Sequence, residues 1–218
     1  MSMTLSAQRQ KTLSNRIRLM VSLTIGYNVV EAVVAIAAGS VASSTALVAF
    51  GLDSVIEVLS AVAVAWQFAG KDPEAREKTA LRLIAVSFFA LSAYVLVDSG
   101  LALWRSQPAE HSPVGIILTV LSLLIMPLFS FIERRTGMEL GSSSAVSDSK
   151  QTLLCSLLSG AVLIGLLLNS LLGWWQADPI CALFIAVLAV KEGVEALKGD
   201  SCTTPISQIT HEDNSLGQ

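Results

Sequence analysis

The sequence predicts an all-α fold, a polytopic membrane protein with six transmembrane helices and both termini in the cytoplasm. Three observations carry that expectation. Apolar runs close to the roughly 20 residues that span a bilayer recur along the chain. Of the 218 residues, 53% are hydrophobic and only 14% charged, where a soluble domain carries about a quarter charged. When the runs are threaded alternately across a bilayer, all 14 Lys and Arg except Arg105 fall on one side, as the positive-inside rule requires.

Residues 1–16 are polar and basic for too long to form a signal peptide and are expected to be a cytoplasmic segment. The six-helix domain is expected over 17–198. Its first span covers about 19–38 and ends at Gly39; the second follows a very tight turn, over about 40–69. The third covers about 81–104. The fourth covers about 114–132, with a kink expected at Pro127. The fifth starts near Ala145, is strongly apolar from Leu153 and ends at Trp174 and Trp175. The sixth opens on Asp178-Pro179, an acid cap followed by proline in the first turn, and runs to about Leu197. Lys191, Glu192 and Glu195 make it the least apolar of the six, and Lys191 can snorkel to the surface. Trp104, Trp174 and Trp175 fall at the outer boundary, where an aromatic belt belongs. Residues 199–218 read as a short disordered cytoplasmic tail with no further domain.

Asp53 and Glu57 stand four residues apart in the second span, so both carboxylates share one helix face. An acid inside a bilayer is costly unless a cation or proton compensates it, and marks a functional site by default. The bland alternative is polar contact between helices, but two adjacent acids with no buried Lys or Arg make poor glue, so a cation site is favoured. Span five offers Asp148, Gln151 and Cys155, spaced three and four apart on one face. Two helices that each present an i, i+4 pair can converge four ligands on one point, Asp53, Glu57, Gln151 and Cys155, which suits a tetrahedral divalent metal such as zinc. For Gln151 an interhelical hydrogen bond stands beside ligation; for Cys155, burial as a small hydrophobe does. Asp148 reads as an interface or helix-start residue. Glu31 and Asp98 are further intramembrane acids, expected outside the ligand set.

Asn28 with Gly39-Ser40, then Ser43-Ser44-Thr45-Ala46-Leu47 and Gly51-Leu52-Asp53-Ser54-Val55-Ile56-Glu57, make one group of motifs. Ala177-Asp178-Pro179-Ile180 and Glu192-Gly193 make another. In order, spacing and span number they resemble the cation diffusion facilitators, six-span exporters that exchange zinc, cadmium, cobalt, iron or manganese for protons. The resemblance covers about 28–199. It implies that Asp53 and Glu57 hold metal, Glu57 with a carboxylate one methylene longer than usual, and that Cys155 faces them. Gln151 and Cys155 stand where the family usually has His and Asp. Asp148 matches a family Asp just before the site, and Phe50 replaces its counterpart in span two. The family usually adds a cytoplasmic metal-sensing domain, for which the sequence has no room, so any homodimer is left to contacts between spans.

The charge of the ligand set survives these changes. Two carboxylates and a thiolate carry about three negative charges, and the thiolate shifts preference toward zinc, cadmium or copper(I). His111 falls in an outer loop and His211 in the tail, so proton exchange falls to Cys155 or a desolvated carboxylate. Expected partners are therefore the lipid bilayer, a transported metal ion and protons, in the plasma or inner membrane of the cell. No prosthetic cofactor is implied. A net charge of −3 gives no general attraction to nucleic acid, and no hydrolase or transferase site is visible, so no enzyme is expected. Two alternatives stay open: a degenerate relative that regulates or pairs with another protein, and an exporter of a small organic cation. Cys155, Cys181 and Cys202 are too scattered for a disulfide framework. Cys181 reads as core packing, and Cys202 as either lipidated or free.

Overall fold

The computed structural model describes residues 7–68, 73–106, 108–140 and 143–198, and among them every regular element is an α-helix. In chain order these are α1 (Ala7–Ala42), α2 (Thr45–Phe68), α3 (Pro73–Arg105), α4 (Pro113–Leu140), α5 (Ser143–Leu172) and α6 (Ala177–Lys198). Five contain a stretch long and apolar enough to cross a bilayer, in α1 through α5. The sixth predicted span is a helix of the bundle but falls short of that measure. Asp178 near its start and Lys191, Glu192 and Glu195 toward its end leave too short an uncharged stretch between them. It nevertheless buries Ala182, Ile185, Ala186 and Ala189 and exposes Ile180, Phe184 and Val187, as a lipid-facing helix does. The N-terminal tail of the first span is also structured: α1 begins at Ala7, and Arg9 pairs with Glu139 near the end of α4 at 2.5 Å.

The bundle exposes much apolar surface and buries polar groups within its apolar core. Val33, Leu124, Phe131, Leu157 and Leu171 are exposed, whereas Asn28, Glu31, Asp53, Ser54, Ser122 and Asp178 are buried. In lipid, apolar surface does not drive helices together, so close packing and interhelical hydrogen bonds must. Helix α2 packs against α1, α3, α5 and α6, which puts its side chains in the middle of the molecule. Gly51 permits one close approach of α1 and α2. A Cβ there would stand 2.9 Å from the backbone nitrogen of Ile36 and 2.9 Å from the Ala35 side chain. Cys181 packs against Gly165 of α5, in keeping with a core role.

The turn between the first two helices lies further along than the sequence suggests. α1 runs straight through Gly39 and Ser40, and the chain reverses at Ser43, whose φ is 51°. The Ser44 hydroxyl then accepts from the Leu47 amide at 3.2 Å, capping α2. Gly39 serves packing instead of turning, since a Cβ would meet Val48 Cγ2 at 2.8 Å. Asp178 is corrected as well. It sits inside α6, and its carboxylate accepts from Ser44 Oγ and from the Ala46 amide, so it caps α2 and not its own helix.

Candidate metal centre

Asp53 and Glu57 project from the middle of α2 one turn apart, and Cys155 meets them from α5. One donor atom from each of the three, two carboxylate oxygens and the thiol sulfur, lies within 4.8 Å of the others. Asp53 and Cys155 are buried, and Glu57 is partly so. The Cys155 thiol donates to Glu57 Oε1. On the other oxygen, Asn28 Nδ2 of α1 donates to Glu57 Oε2 at 2.5 Å. Glu57 is thus held from two sides, by α1 and by α5.

Of the four residues expected to meet, the structure brings three together. Gln151 lies on α5 one turn before Cys155, but its side chain, like that of Asp148, falls outside the described residues. Glu31 is 2% exposed and is not one of the three grouped donors. It accepts from Ser54 Oγ of α2 at 2.8 Å and from Ser122 Oγ of α4, and Ser122 in turn meets the Tyr27 hydroxyl at 2.6 Å. A buried polar seam therefore ties α1, α2 and α4 together. Asp98 lies far off, accepting from Thr45 Oγ1 at 2.6 Å beside the start of α2. The tail with Cys202 and His211 falls outside the described residues.

A narrow cleft borders the cluster. Walled by Asp53, Glu57 and Cys155, and by Phe88 of α3 and Ile185 of α6, it reaches Lys191 and Glu192 near the close of α6. A thiol and two carboxylates from two rigid helices make a donor set suited to zinc and softer divalent ions. Such a set, buried between helices of an apolar bundle, is a candidate cation site. A family model of the cation efflux transmembrane domain matches residues 21–200.

The chain belongs to the cation efflux family.

It is accordingly a multi-pass protein of the cell membrane, and the family is one of transporters, not enzymes. The cation-efflux pump FieF of Shewanella oneidensis is similar, 25% identical over 140 residues, which are 62% of this chain and 47% of that protein. The match thus spans about half of that relative's length.

Sequence reasoning missed Asn28 as a neighbour of Glu57 and missed the partners of Glu31. The available signal was their spacing. Asn28 and Glu31 lie three apart in an apolar run, on the same helix face, which is how a helix presents polar groups to a bundle interior.

Proposed function

We propose that the chain exports a divalent metal cation, zinc or a softer ion, from the cytoplasm in exchange for protons. Asp53, Glu57 and Cys155 bind the ion, and an amide oxygen completes the shell, Gln151 being the expected donor from α5. The observation that carries this reading is the convergence of two carboxylates and a thiol, from two helices, within 4.8 Å. Zinc bonds of about 2.0 to 2.3 Å place tetrahedral donors about 3.5 Å apart, so the cluster needs only a modest inward shift to grip an ion.

Proton exchange has a physical source in the same contacts. The Cys155 thiol donates a hydrogen bond to Glu57 Oε1. A metal takes a thiolate, so ion binding must displace that proton, and reprotonation must weaken the ion's hold. The distribution of Lys and Arg supports a cytoplasmic mouth for the cleft, at Lys191 and Glu192. This conformation then corresponds to the ion-loading one, and release requires the other end to part.

The test is metal-stimulated proton flux in proteoliposomes with zinc, cadmium, cobalt and manganese, comparing the native chain with Asp53→Ala and Cys155→Ser. Flux favouring zinc and cadmium, abolished by Asp53→Ala and reduced or re-tuned toward harder ions by Cys155→Ser, is expected. A folded native chain that moves none of the four ions would sink the transporter reading in favour of a regulatory relative. Flux of an organic cation insensitive to Cys155→Ser would replace the substrate.

A further inference from the structure

Asn28 is 4% exposed, and its amide is only half used. Nδ2 donates to Glu57 Oε2 at 2.5 Å. The assignment of the two amide atoms is fixed by that contact, because a carbonyl oxygen turned toward a carboxylate would meet only acceptors. Oδ1, on the same amide, is buried and has no hydrogen-bond partner among the described residues. Burial of a carbonyl oxygen without a partner is unfavourable, and buried polar groups in native proteins are nearly always satisfied. An orphan acceptor beside a cluster of cation ligands has one obvious partner, the cation itself.

We propose that Asn28 supplies the fourth donor of the ion site, Oδ1 binding the ion while Nδ2 holds Glu57 in place. This rests on the reading of Asp53, Glu57 and Cys155 as ligands and changes its fourth member. Helix α1 thereby becomes part of the shell, and one amide serves as ligand and as support for the neighbouring ligand. The charge balance favours the arrangement. Two carboxylates and a thiolate already exceed the charge of a divalent ion, so a neutral fourth donor adds coordination without adding repulsion. It also adds an oxygen, a harder donor that offsets the softness of sulfur and broadens the accepted ions toward cobalt and zinc. A carboxylate at 28 would raise the shell's negative charge and move preference toward harder ions such as manganese.

Cobalt(II) reports both facts at once, through its thiolate-to-metal charge-transfer band and through visible bands whose intensity falls as coordination rises above four. The full chain in detergent would be titrated with cobalt(II) and separately with manganese(II). The native chain, Asn28→Leu, Asn28→Asp, Gln151→Leu and Cys155→Ser would be compared. Expected for the native chain is a charge-transfer band, lost only in Cys155→Ser, with intense four-coordinate visible bands. Asn28→Leu should keep the charge-transfer band, bind cobalt about 10- to 100-fold more weakly and shift its visible bands as water replaces the amide oxygen, with intensity falling where more than one water enters. Gln151→Leu tests the other candidate for the fourth donor and should lose less of both than Asn28→Leu. An Asn28→Leu protein with native affinity and native visible bands overturns the proposal, as does transfer of the whole loss to Gln151→Leu. If Asn28→Leu fails to fold, Asn28→Asp decides: an unchanged cobalt-to-manganese affinity ratio overturns the proposal, and a shift of about tenfold toward manganese supports it. A native chain with no charge-transfer band at all removes the three-ligand site as well, an outcome separate from loss at Asn28 alone.

Discussion

The two ends of this bundle are built differently. At the end that carries the short turns, hydrogen bonds cross from helix to helix. Asp178 of α6 reaches Ser44 and Ala46 at the start of α2, and Thr45 reaches Asp98 of α3. The Glu110 amide donates to the Ala42 carbonyl at 2.7 Å, and Asn169 Nδ2 donates to the Ala109 carbonyl at 2.8 Å. At the opposite end, α2, α3, α5 and α6 leave a cleft that runs from Lys191 and Glu192 to the acids. Hydrogen bonds between elements thus tie the turn end, and the ionisable cluster borders the cleft that leads to the other end. On the proposed alternating-access mechanism, the bonds at the turn end are ones that must break to open that side.

The comparison breaks most visibly at Asp178. Its carboxylate is 1% exposed and satisfies both the α2 N-terminus and the Ser44 hydroxyl. Asp178→Ala leaves those donors unmet, at about 2 to 4 kcal/mol. A lower midpoint of thermal unfolding in detergent is the first expected result. The second is specific to gating. In a background of Cys181→Ser and Cys202→Ser, a membrane-impermeant thiol reagent should reach native Cys155 from the Lys191 side and not from the turn side. Asp178→Ala should open the second route. Unchanged labelling from the turn side, in a folded variant, would show that the gate lies elsewhere.

Gly51 sharpens the same contrast at the middle of the molecule. Its missing side chain lets α1 and α2 touch two residues before Asp53. Gly51→Ala must push the helices apart against backbone at 2.9 Å, at about 1 to 3 kcal/mol. Because Asn28 reaches Glu57 across that same contact, metal affinity should fall together with stability, whereas zinc should still bind through Cys155. Isothermal titration with zinc checks this. Stability lost with affinity intact would separate the helix contact from the site.

Much of this was legible along the chain. Long apolar runs give the helices because a bilayer leaves no other way to satisfy the backbone. The i, i+4 pair Asp53 and Glu57, and Cys155 on a second helix, give the cluster because helical spacing decides which side chains share a face. Other features depend on which helices touch, which spacing does not encode. Asp178 looked like a cap for its own helix, since an acid before a proline is a local signal, but its partner is an N-terminus 132 positions away at Ala46. Asn28 read as part of a motif and Glu31 as an intramembrane acid, but their partners Glu57, Ser54 and Ser122 come from α2 and α4. Gly39 looked like a turn because small residues serve turns and close packing alike.

The smallest expected effect concerns the mouth of the cleft. Lys191 lies 3.6 Å from Glu195, and both side chains are substantially exposed, so the pair adds under about 0.5 kcal/mol and Lys191→Ala should barely move the unfolding midpoint. Its influence is on arrival. A positive charge where a cation must enter repels it, and Glu192 beside it attracts it. Lys191→Ala should therefore lower the apparent KM for zinc a few-fold at low ionic strength, and Glu192→Gln should raise it, with maximal flux unchanged in both. The Debye length shrinks to about 8 Å at physiological salt, so both shifts should shrink as salt is added. Opposite signs that converge at high salt would establish this cleft as the entry route. Shifts of the same sign, or shifts indifferent to salt, would mean that the two residues act on the fold and that the ion enters by another path.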